Sequence, residues 1–129
     1  MRMTVEGQEI EDEVLLGLVC STTSVGGFRP KSLATGVSLN DGLSEVIVVK
    51  NIRSIQDLNA IGMLLTRREF DPNFFYTFQT DHVCFEFRTP VKWTLDGEFG
   101  GAHQAVEIRN LHRAVQIIVP GDPENPKPI

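Results

Sequence analysis

The second half of the chain is a succession of short strand-like runs separated by turn residues, which constrains the fold more than any other feature. The turns are Asp81-His82, Asp96-Gly97 and Gly100-Gly101, and the runs cover residues 75–80, 83–88, 91–96, 104–110 and 113–120. Residues 106, 108, 115 and 117 are apolar and follow the period of two that strands require. Connections this short join antiparallel neighbours, so this half predicts an antiparallel β-structure.

The first half contributes more strands and the segment with helical periodicity. Residues 14–21 form a continuous apolar run, which predicts a strand buried on both faces, and residues 44–50 predict another strand. Residues 4–5 are a weaker opening strand before a Glu6-Gly7 turn. Ser54 can cap a helix whose apolar residues share one face: Ile55, Leu58, Ile61, Gly62 and Leu65. We therefore predict a mainly-β fold, an antiparallel β-sandwich or open barrel with one covering α-helix.

Length and composition indicate a single globular domain. The chain has 129 residues, and we place the domain at residues 1–120, followed by an extended proline-rich tail at 121–129. The net charge of -5 argues against a nucleic-acid partner, because phosphate neutralisation needs clustered Lys and Arg. The polar start, the lack of a long apolar run and the two thiols Cys20 and Cys84, expected to be buried and reduced, predict a cytoplasmic protein.

The histidines and cysteines offer little obvious chemistry. His82, His103 and His112 are scattered and no Cys-x-x-Cys is present, so a zinc site is not expected. His82 and Cys84 are two residues apart and could share a strand face as a nucleophile pair. An apolar run would, however, raise the pKa of the thiol and disfavour that role.

Two Asp-Gly turns, Asp41-Gly42 and Asp96-Gly97, are the remaining candidates for chemistry. Each is most simply a turn, because Asp and Gly are favoured there. An aspartate in such a turn can also bind a hard cation together with nearby backbone carbonyls. Likewise Glu98, just after the second turn, is either an ordinary strand residue or a carboxylate held in place for catalysis.

Taken in order, these segments resemble the C-terminal domain of the bacterial diacylglycerol kinase-like lipid kinases, relatives of the eukaryotic diacylglycerol and sphingosine kinases. The resemblance spans residues 5–120 and rests on VLLGLVCS, on the glycine-containing loop that ends in NDGL, on WTLDGE and on AVQIIVP. Such kinases phosphorylate a lipid hydroxyl with a nucleoside triphosphate and Mg²⁺. The resemblance therefore implies a lipid substrate such as diacylglycerol and contact with the membrane periphery.

The resemblance also assigns residues. The glutamate of the Leu-Asp-Gly-Glu turn, here Glu98, is implied to accept the proton of the lipid hydroxyl. A structural Mg²⁺ site is implied at the other turn, with the side chain of Asp41 and the backbone oxygens of Ser38 and Leu43 as ligands.

One motif of the family has no counterpart in the chain. The phosphate-binding Gly-Gly-Asp-Gly-Thr sequence is absent, and the asparagine expected near the end of the first buried strand is replaced within VCSTTS. We therefore expect ATP binding only with an N-terminal nucleotide-binding domain, and no activity from this fragment alone. The surface that such a partner would cover also favours self-association.

Two other readings compete with half of a lipid kinase. The first is a non-catalytic β-sandwich that binds a lipid or a protein through residues 22–40 and the helix. The second is the NAD-kinase-like group, whose C-terminal domains are also rich in strands and which the Leu-Asp-Gly-Glu turn favours less.

Overall fold

A computed structural model describes residues 1–21, 41–67 and 69–116 of the chain. Within these ranges, seven strands and one helix follow one another. In chain order they are β1 Arg2–Val5, β2 Gln8–Glu11, β3 Val14–Cys20, β4 Ser44–Lys50, α1 Ile55–Arg67, β5 Phe75–Thr80, β6 His82–Leu95 and β7 Glu98–Arg109. None of the helical structure in these ranges is long and apolar enough to span a membrane.

The described strands form two antiparallel sheets. The first has the order β2-β1-β6-β7 and the second the order β3-β4-β5. Alternate residues of the two sheets share one buried core, formed by Met3, Val5, Val46, Val48, Val83 and Phe85. Burial of these side chains is the main favourable contribution to folding. The prediction of a mainly-β antiparallel sandwich with one helix is confirmed, and the sheets do not close into a barrel.

The prediction that residues 14–21 are buried on both faces is wrong. Among the described strands, theirs, β3, lies at the edge of the second sheet, and Leu15 and Leu16 are 57% and 61% exposed. The doubly covered strand is β4, where residues 44–48 are buried. It lies between β3 and β5, with the core on one face and α1 on the other. A continuous apolar run identifies a strand but does not give its position in the sheet.

Helix α1 begins as predicted but buries a different face. The backbone N–H of Asp57 donates to Ser54 Oγ at 3.1 Å, and Asp57 Oδ2 accepts from the N–H of Arg53 at 3.0 Å. Ile61 and Leu64 pack against the second sheet, whereas Ile55 is 76% exposed. Leu58 and Leu65 are exposed too. Apolar residues occupy most sides of this helix, so their spacing alone does not identify the buried side.

Strand β6 runs without interruption through Pro90, although a separate strand is predicted from residue 91. Its pairing with β7 shifts there: Glu86 faces Ala105 and Val91 faces His103, so residues 87–90 lie opposite one residue. Proline lacks the N–H that a regular ladder needs, and a bulge accommodates it.

The predicted break at Gly100-Gly101 is also a bulge inside a strand. Both glycines face Trp93, because Lys92 pairs with Ala102 and Thr94 with Phe99. Gly101 has a φ of 97°, which few other residues adopt. Strand β7 therefore continues from the turn at residue 97 to Arg109.

Several predicted segments fall partly or wholly outside the described residues. Of the last predicted strand, residues 113–116 belong to no strand and residues 117–120 are not described. The loop at residues 22–40 and the tail at 121–129 are also outside, so the boundary at residue 120 remains a prediction.

Candidate functional site

The hairpin between β6 and β7 places Glu98. Leu95 and Glu98 form the last pair of the ladder, and Asp96 and Gly97 make the turn with φ values of 49° and 91°. Positive φ at both positions defines the two-residue type I′ turn, for which Asp-Gly is a preferred sequence. The predicted hairpin turn is confirmed, and it makes Glu98 the first residue of β7.

Glu98 is exposed at the end of a two-stranded arm. Strand β1 pairs with residues 83–86 of β6, and beyond them the described parts of β6 and β7 pair only with each other. The Glu98 carboxylate has no hydrogen bond or ion pair with any described residue. Its neighbours Leu95 and Phe99 are 63% and 72% exposed. The end of the arm therefore combines a carboxylate with exposed apolar side chains.

An aromatic cluster holds the arm at its root. The Trp93 ring lies 5.7 Å from the ring of Phe85 and 6.2 Å from that of Phe87. Phe85 belongs to the core, so these contacts join the arm to the body of the domain. The indole Nε1–H of Trp93 is buried and meets no acceptor among the described residues.

The Asp41-Gly42 turn lies at the start of β4 and is half-buried. The backbone N–H of Leu43 donates to Asp41 Oδ1 at 2.9 Å, which folds the carboxylate back over its own turn. Gly42 has a φ of 77°, and a Cβ there would lie 2.9 Å from the Cβ of His112. Surrounding structure therefore determines this turn as much as its own sequence does.

Beside this turn, three polar side chains connect distant parts of the chain. Ser21 Oγ and Ser44 Oγ are 3.1 Å apart, and the side-chain amide of Asn110 donates to both, at 3.2 and 3.1 Å. The N–H of Asn110 also donates to the carbonyl of Asp81 at 2.7 Å. This network could not be predicted from the sequence, because its members are 23 to 89 residues apart.

Glu45, next to Ser44 in β4, is a buried carboxylate that the sequence analysis missed. It is 1% exposed, and Oε1 accepts a long hydrogen bond of 3.4 Å from Gln79. Its second oxygen, Oε2, is buried and has no hydrogen-bond partner among the described residues. A charged residue within the apolar run SEVIVV was the available signal, since burying a carboxylate is costly.

The chain is similar in sequence to two proteins of known name. No family model matches it. It is 31% identical over 116 residues to a diacylglycerol kinase of Bacillus subtilis (strain 168), covering 89% of this chain and 37% of that protein. A diacylglycerol kinase of Staphylococcus carnosus (strain TM300) is 28% identical over 127 residues, covering 97% and 40%.

Solved structures agree on the fold. A putative diacylglycerol kinase from Bacillus anthracis str. Sterne superposes with a TM-score of 0.63 at 23% identity, over 84% of this chain and 34% of that one. A second diacylglycerol kinase structure from the same organism gives 0.56 at 19% identity, over 84% and 39%. The chain belongs to the diacylglycerol kinase-like family. It corresponds to the C-terminal domain and spans well under half the length of the relatives it matches.

The residues that the diacylglycerol kinase-like resemblance assigned lie in different parts of the fold. Glu98 is on the first sheet, at the end of the β6–β7 arm, whereas Asp41 and Leu43 precede β4 in the second sheet. Ser38, the third predicted magnesium ligand, lies outside the described residues.

In this member of the diacylglycerol kinase-like family, His82 and Cys84 do share a strand face. Cys84 Sγ lies 3.5 Å from His82 Nε2, and both side chains are half-buried, so Cys84 is less buried than predicted. Glu107, which was not predicted from the sequence, lies opposite Cys84 on β7. Its carboxylate is close to the side chains of both His82 and Cys84. The pairing of Glu107 with Cys84 could not be predicted from the turn, because the register between β6 and β7 shifts twice.

Asp12, a carboxyl outside that group whose pKa is shifted, supports the fold. Tyr76 Oη donates to Asp12 Oδ2 at 2.8 Å, and this hydrogen bond is the main cause that lowers the pKa of Asp12. Burial, followed by the same hydrogen bond, raises the pKa of Tyr76. The contact ties β5 to the β2–β3 turn and involves neither Asp-Gly turn.

Proposed function

We propose that the chain is the C-terminal domain of an ATP-dependent lipid kinase, which phosphorylates the hydroxyl of a lipid such as diacylglycerol. Its similarity to proteins named diacylglycerol kinase supports this class of reaction. The single observation that carries the proposal is the placement of Glu98, an exposed carboxylate held by a tight turn and flanked by Leu95 and Phe99.

In this reaction the lipid oxygen attacks the γ-phosphorus of ATP as its proton leaves. Glu98 accepts that proton, the new O–P bond forms and ADP departs. Phosphoryl transfer depends mainly on position and charge, so a carboxylate fixed within hydrogen-bonding distance of the hydroxyl suffices as a base. Glu98 makes no competing contact with the described residues, which leaves both oxygens available to the substrate.

The apolar surface around Glu98 suits a lipid. Leu95 and Phe99 offer contacts to acyl chains that a water-soluble substrate would not use. Leu95 is the cross-strand partner of Glu98 and shares its face of the hairpin, and Phe99 lies on the opposite face, so the end of the arm presents an apolar side chain on each side. We infer that the end of the arm reaches the membrane periphery and receives its substrate there.

ATP comes to this reaction on an N-terminal nucleotide-binding domain. The chain corresponds to 37% and 40% of two relatives, so those proteins contain a large additional region. The exposed apolar residues of α1 and β3 are surfaces that such a domain would cover, among them Leu16, Ile55, Leu58 and Met63. Without it, the same surfaces favour self-association.

Mg²⁺ at the Asp41 turn would brace the start of β4. The side chain of Asp41 and the backbone oxygens of Ser38 and Leu43 would hold the ion, a donor set of hard oxygens that suits Mg²⁺. Asp41 and Leu43 already belong to one compact turn, which fits this arrangement. The ion would supply positive charge that draws the loop carbonyls together.

The test is a hybrid enzyme in which this chain replaces the matching segment of the Bacillus subtilis diacylglycerol kinase. Phosphate transfer from ATP to diacylglycerol is measured in mixed micelles. The Glu98→Gln variant keeps the shape of the side chain but removes its basicity, so we expect kcat to fall by about 100-fold or more.

The matched control is Glu86→Gln, another exposed glutamate of the same two strands, which pairs with Arg2 instead. We expect it to change kcat by less than about twofold, because exposed ion pairs contribute little. Equal activity of the Glu98→Gln and parent hybrids, with the parent active, would remove Glu98 from the mechanism.

A second candidate is a non-catalytic lipid-binding module, which the exposed apolar residues of α1 favour. It predicts that the chain alone co-sediments with diacylglycerol-containing vesicles and that Leu58→Ser weakens this binding. Under the kinase proposal, substitutions at the arm, such as Phe99→Ser, weaken it instead.

A further inference from the structure

Three side chains with different metal-binding atoms converge on the outer face of the first sheet. His82 Nε2, Cys84 Sγ and Glu107 Oε1 all lie within 4.8 Å of one another. His82 and Cys84 are two residues apart on β6 and therefore point to the same side. Glu107 is the register partner of Cys84 on β7, which brings its carboxylate to that side as well.

One of the ligand-atom distances matches a tetrahedral zinc site, and a second is shorter. With zinc bonds of 2.0–2.3 Å, the ligand atoms of a tetrahedron lie about 3.3–3.6 Å apart. Cys84 Sγ and His82 Nε2 are 3.5 Å apart, within that range. His82 Nε2 and Glu107 Oε1 are 2.8 Å apart, a hydrogen bond that a metal ion would replace after a small outward rotation of the carboxylate.

The three side chains lie at the surface of the sheet. The His82 and Glu107 side chains are 43% and 51% exposed, so the group is reachable from solvent.

Arg109 would compete with a metal ion for the carboxylate of Glu107. Its Nε lies 2.7 Å from Glu107 Oε1, and its Nη2 also contacts that oxygen. The Arg109 side chain is 64% exposed and has no other described ion pair, so it can turn into solvent when a metal ion takes its place.

We propose that His82, Cys84 and Glu107 form a binding site for a zinc-class divalent cation, with water as the fourth ligand. Thiolate and imidazole ligands select zinc over magnesium, which prefers oxygen donors. The site therefore differs in ligand chemistry from the Asp41 turn, and it lies toward the opposite end of β7 from Glu98. Bound metal would clamp the start of β6 to the end of β7, within the body of the first sheet and away from the tip of the arm.

The test uses the purified full chain, stripped with a chelator under reducing conditions. Zn²⁺ affinity is measured by competition with a chromophoric chelator, and Co²⁺ is added separately as a spectroscopic probe. We expect one ion per chain and, with Co²⁺, a thiolate-to-metal charge-transfer band together with the visible bands of tetrahedral coordination. Absence of the thiolate band would overturn the proposal.

Variants locate the site. Cys84→Ser should lower Zn²⁺ affinity more than about 100-fold, because the loss of even an outer partner of a metal ligand costs about 10- to 100-fold. Cys20→Ser removes the other cysteine, which lies in the second sheet, and should leave the affinity unchanged. Unchanged binding by Cys84→Ser, or equal losses in both variants, would place the metal elsewhere.

Two exposed positions keep the test valid if Cys84→Ser folds poorly. Glu107→Gln removes a ligand from a solvent-facing site and should weaken binding about tenfold or more. Arg109→Gln removes the competing cation and should strengthen binding by about threefold. Far-ultraviolet circular dichroism confirms folding in each case. Equal affinity of both variants and the parent chain would contradict the assignment.

Discussion

The two Asp-Gly turns have the same two residues and opposite surroundings. Asp96-Gly97 lies at the exposed end of the arm, and a Cβ on Gly97 would meet no atom within 4 Å. Asp41-Gly42 is half-buried, and a Cβ on Gly42 would lie 2.9 Å from His112. Both glycines have positive φ, at 91° and 77°.

The difference shows what local sequence determines. The Asp96 turn needs only its own dipeptide, because a two-residue hairpin loop demands positive φ at both positions. The Asp41 turn is set among His112, the Leu43 backbone and the nearby Ser21–Ser44–Asn110 network. A solvent-facing turn suits a residue that meets a substrate, and an enclosed turn suits one that braces structure.

Replacing each glycine with alanine should give the largest contrast. Gly97→Ala adds only the cost of a left-handed residue, about 1–2 kcal/mol of unfolding free energy. Gly42→Ala adds the same cost and the displacement of His112, so we expect about 2–4 kcal/mol. Urea unfolding of the full chain measures both values.

The double variant Gly42→Ala with His112→Gly separates the two contributions, because it removes both the Cβ and the ring atoms of His112 that the added Cβ would meet. Removing the imidazole should recover part of the loss but not the share due to φ. Equal destabilisation by Gly42→Ala and Gly97→Ala would show that His112 does not constrain the enclosed turn.

A smaller contrast is expected from the polar residues beside the turns. Ser44→Ala removes a buried hydroxyl that contacts Ser21 and Asn110, so we expect a loss of about 1–2 kcal/mol. Thr94→Ala, at an exposed position of the arm, should change stability by less than about 0.5 kcal/mol. Similar losses for both, measured by urea unfolding, would mean that the network adds little.

The sequence allowed most of the strands and the exposed turn to be predicted, because both depend on residues near one another. Strand β4 begins and ends where its apolar run and the preceding turn place it, and the I′ turn follows from Asp96-Gly97. The buried face of α1 could not be predicted, since Met63, Leu64 and Leu65 are all apolar and only contact with Ile47 and Phe75 selects Ile61 and Leu64. The same limit applies to the edge position of β3.

Pairing register also limited what could be inferred about sites. Glu98 could be proposed from the sequence because its turn is a local motif that resembles a family pattern. The grouping of Glu107 with His82 and Cys84 depends on which residues of β6 and β7 face each other, and two bulges change that alignment. Glu45 can be recognised in the sequence as a charged residue within an apolar strand. That it is buried could not be predicted, because its burial depends on neighbouring strands.

The smallest expected effect tests whether the enclosed turn holds Mg²⁺. The Asp41→Asn variant keeps an oxygen for the Leu43 N–H but loses the charge that a cation needs. The control is Asp96→Asn, because asparagine suits a type I′ turn as well as aspartate does. The Mg²⁺ concentration is set about five times above the dissociation constant. Binding should then raise the free energy of unfolding of the parent and Asp96→Asn chains by about 1 kcal/mol. Asp41→Asn should show no such gain in thermal unfolding. All three chains should agree within about 0.5 kcal/mol in chelator, and equal Mg²⁺ stabilisation of Asp41→Asn would exclude Asp41 as a ligand.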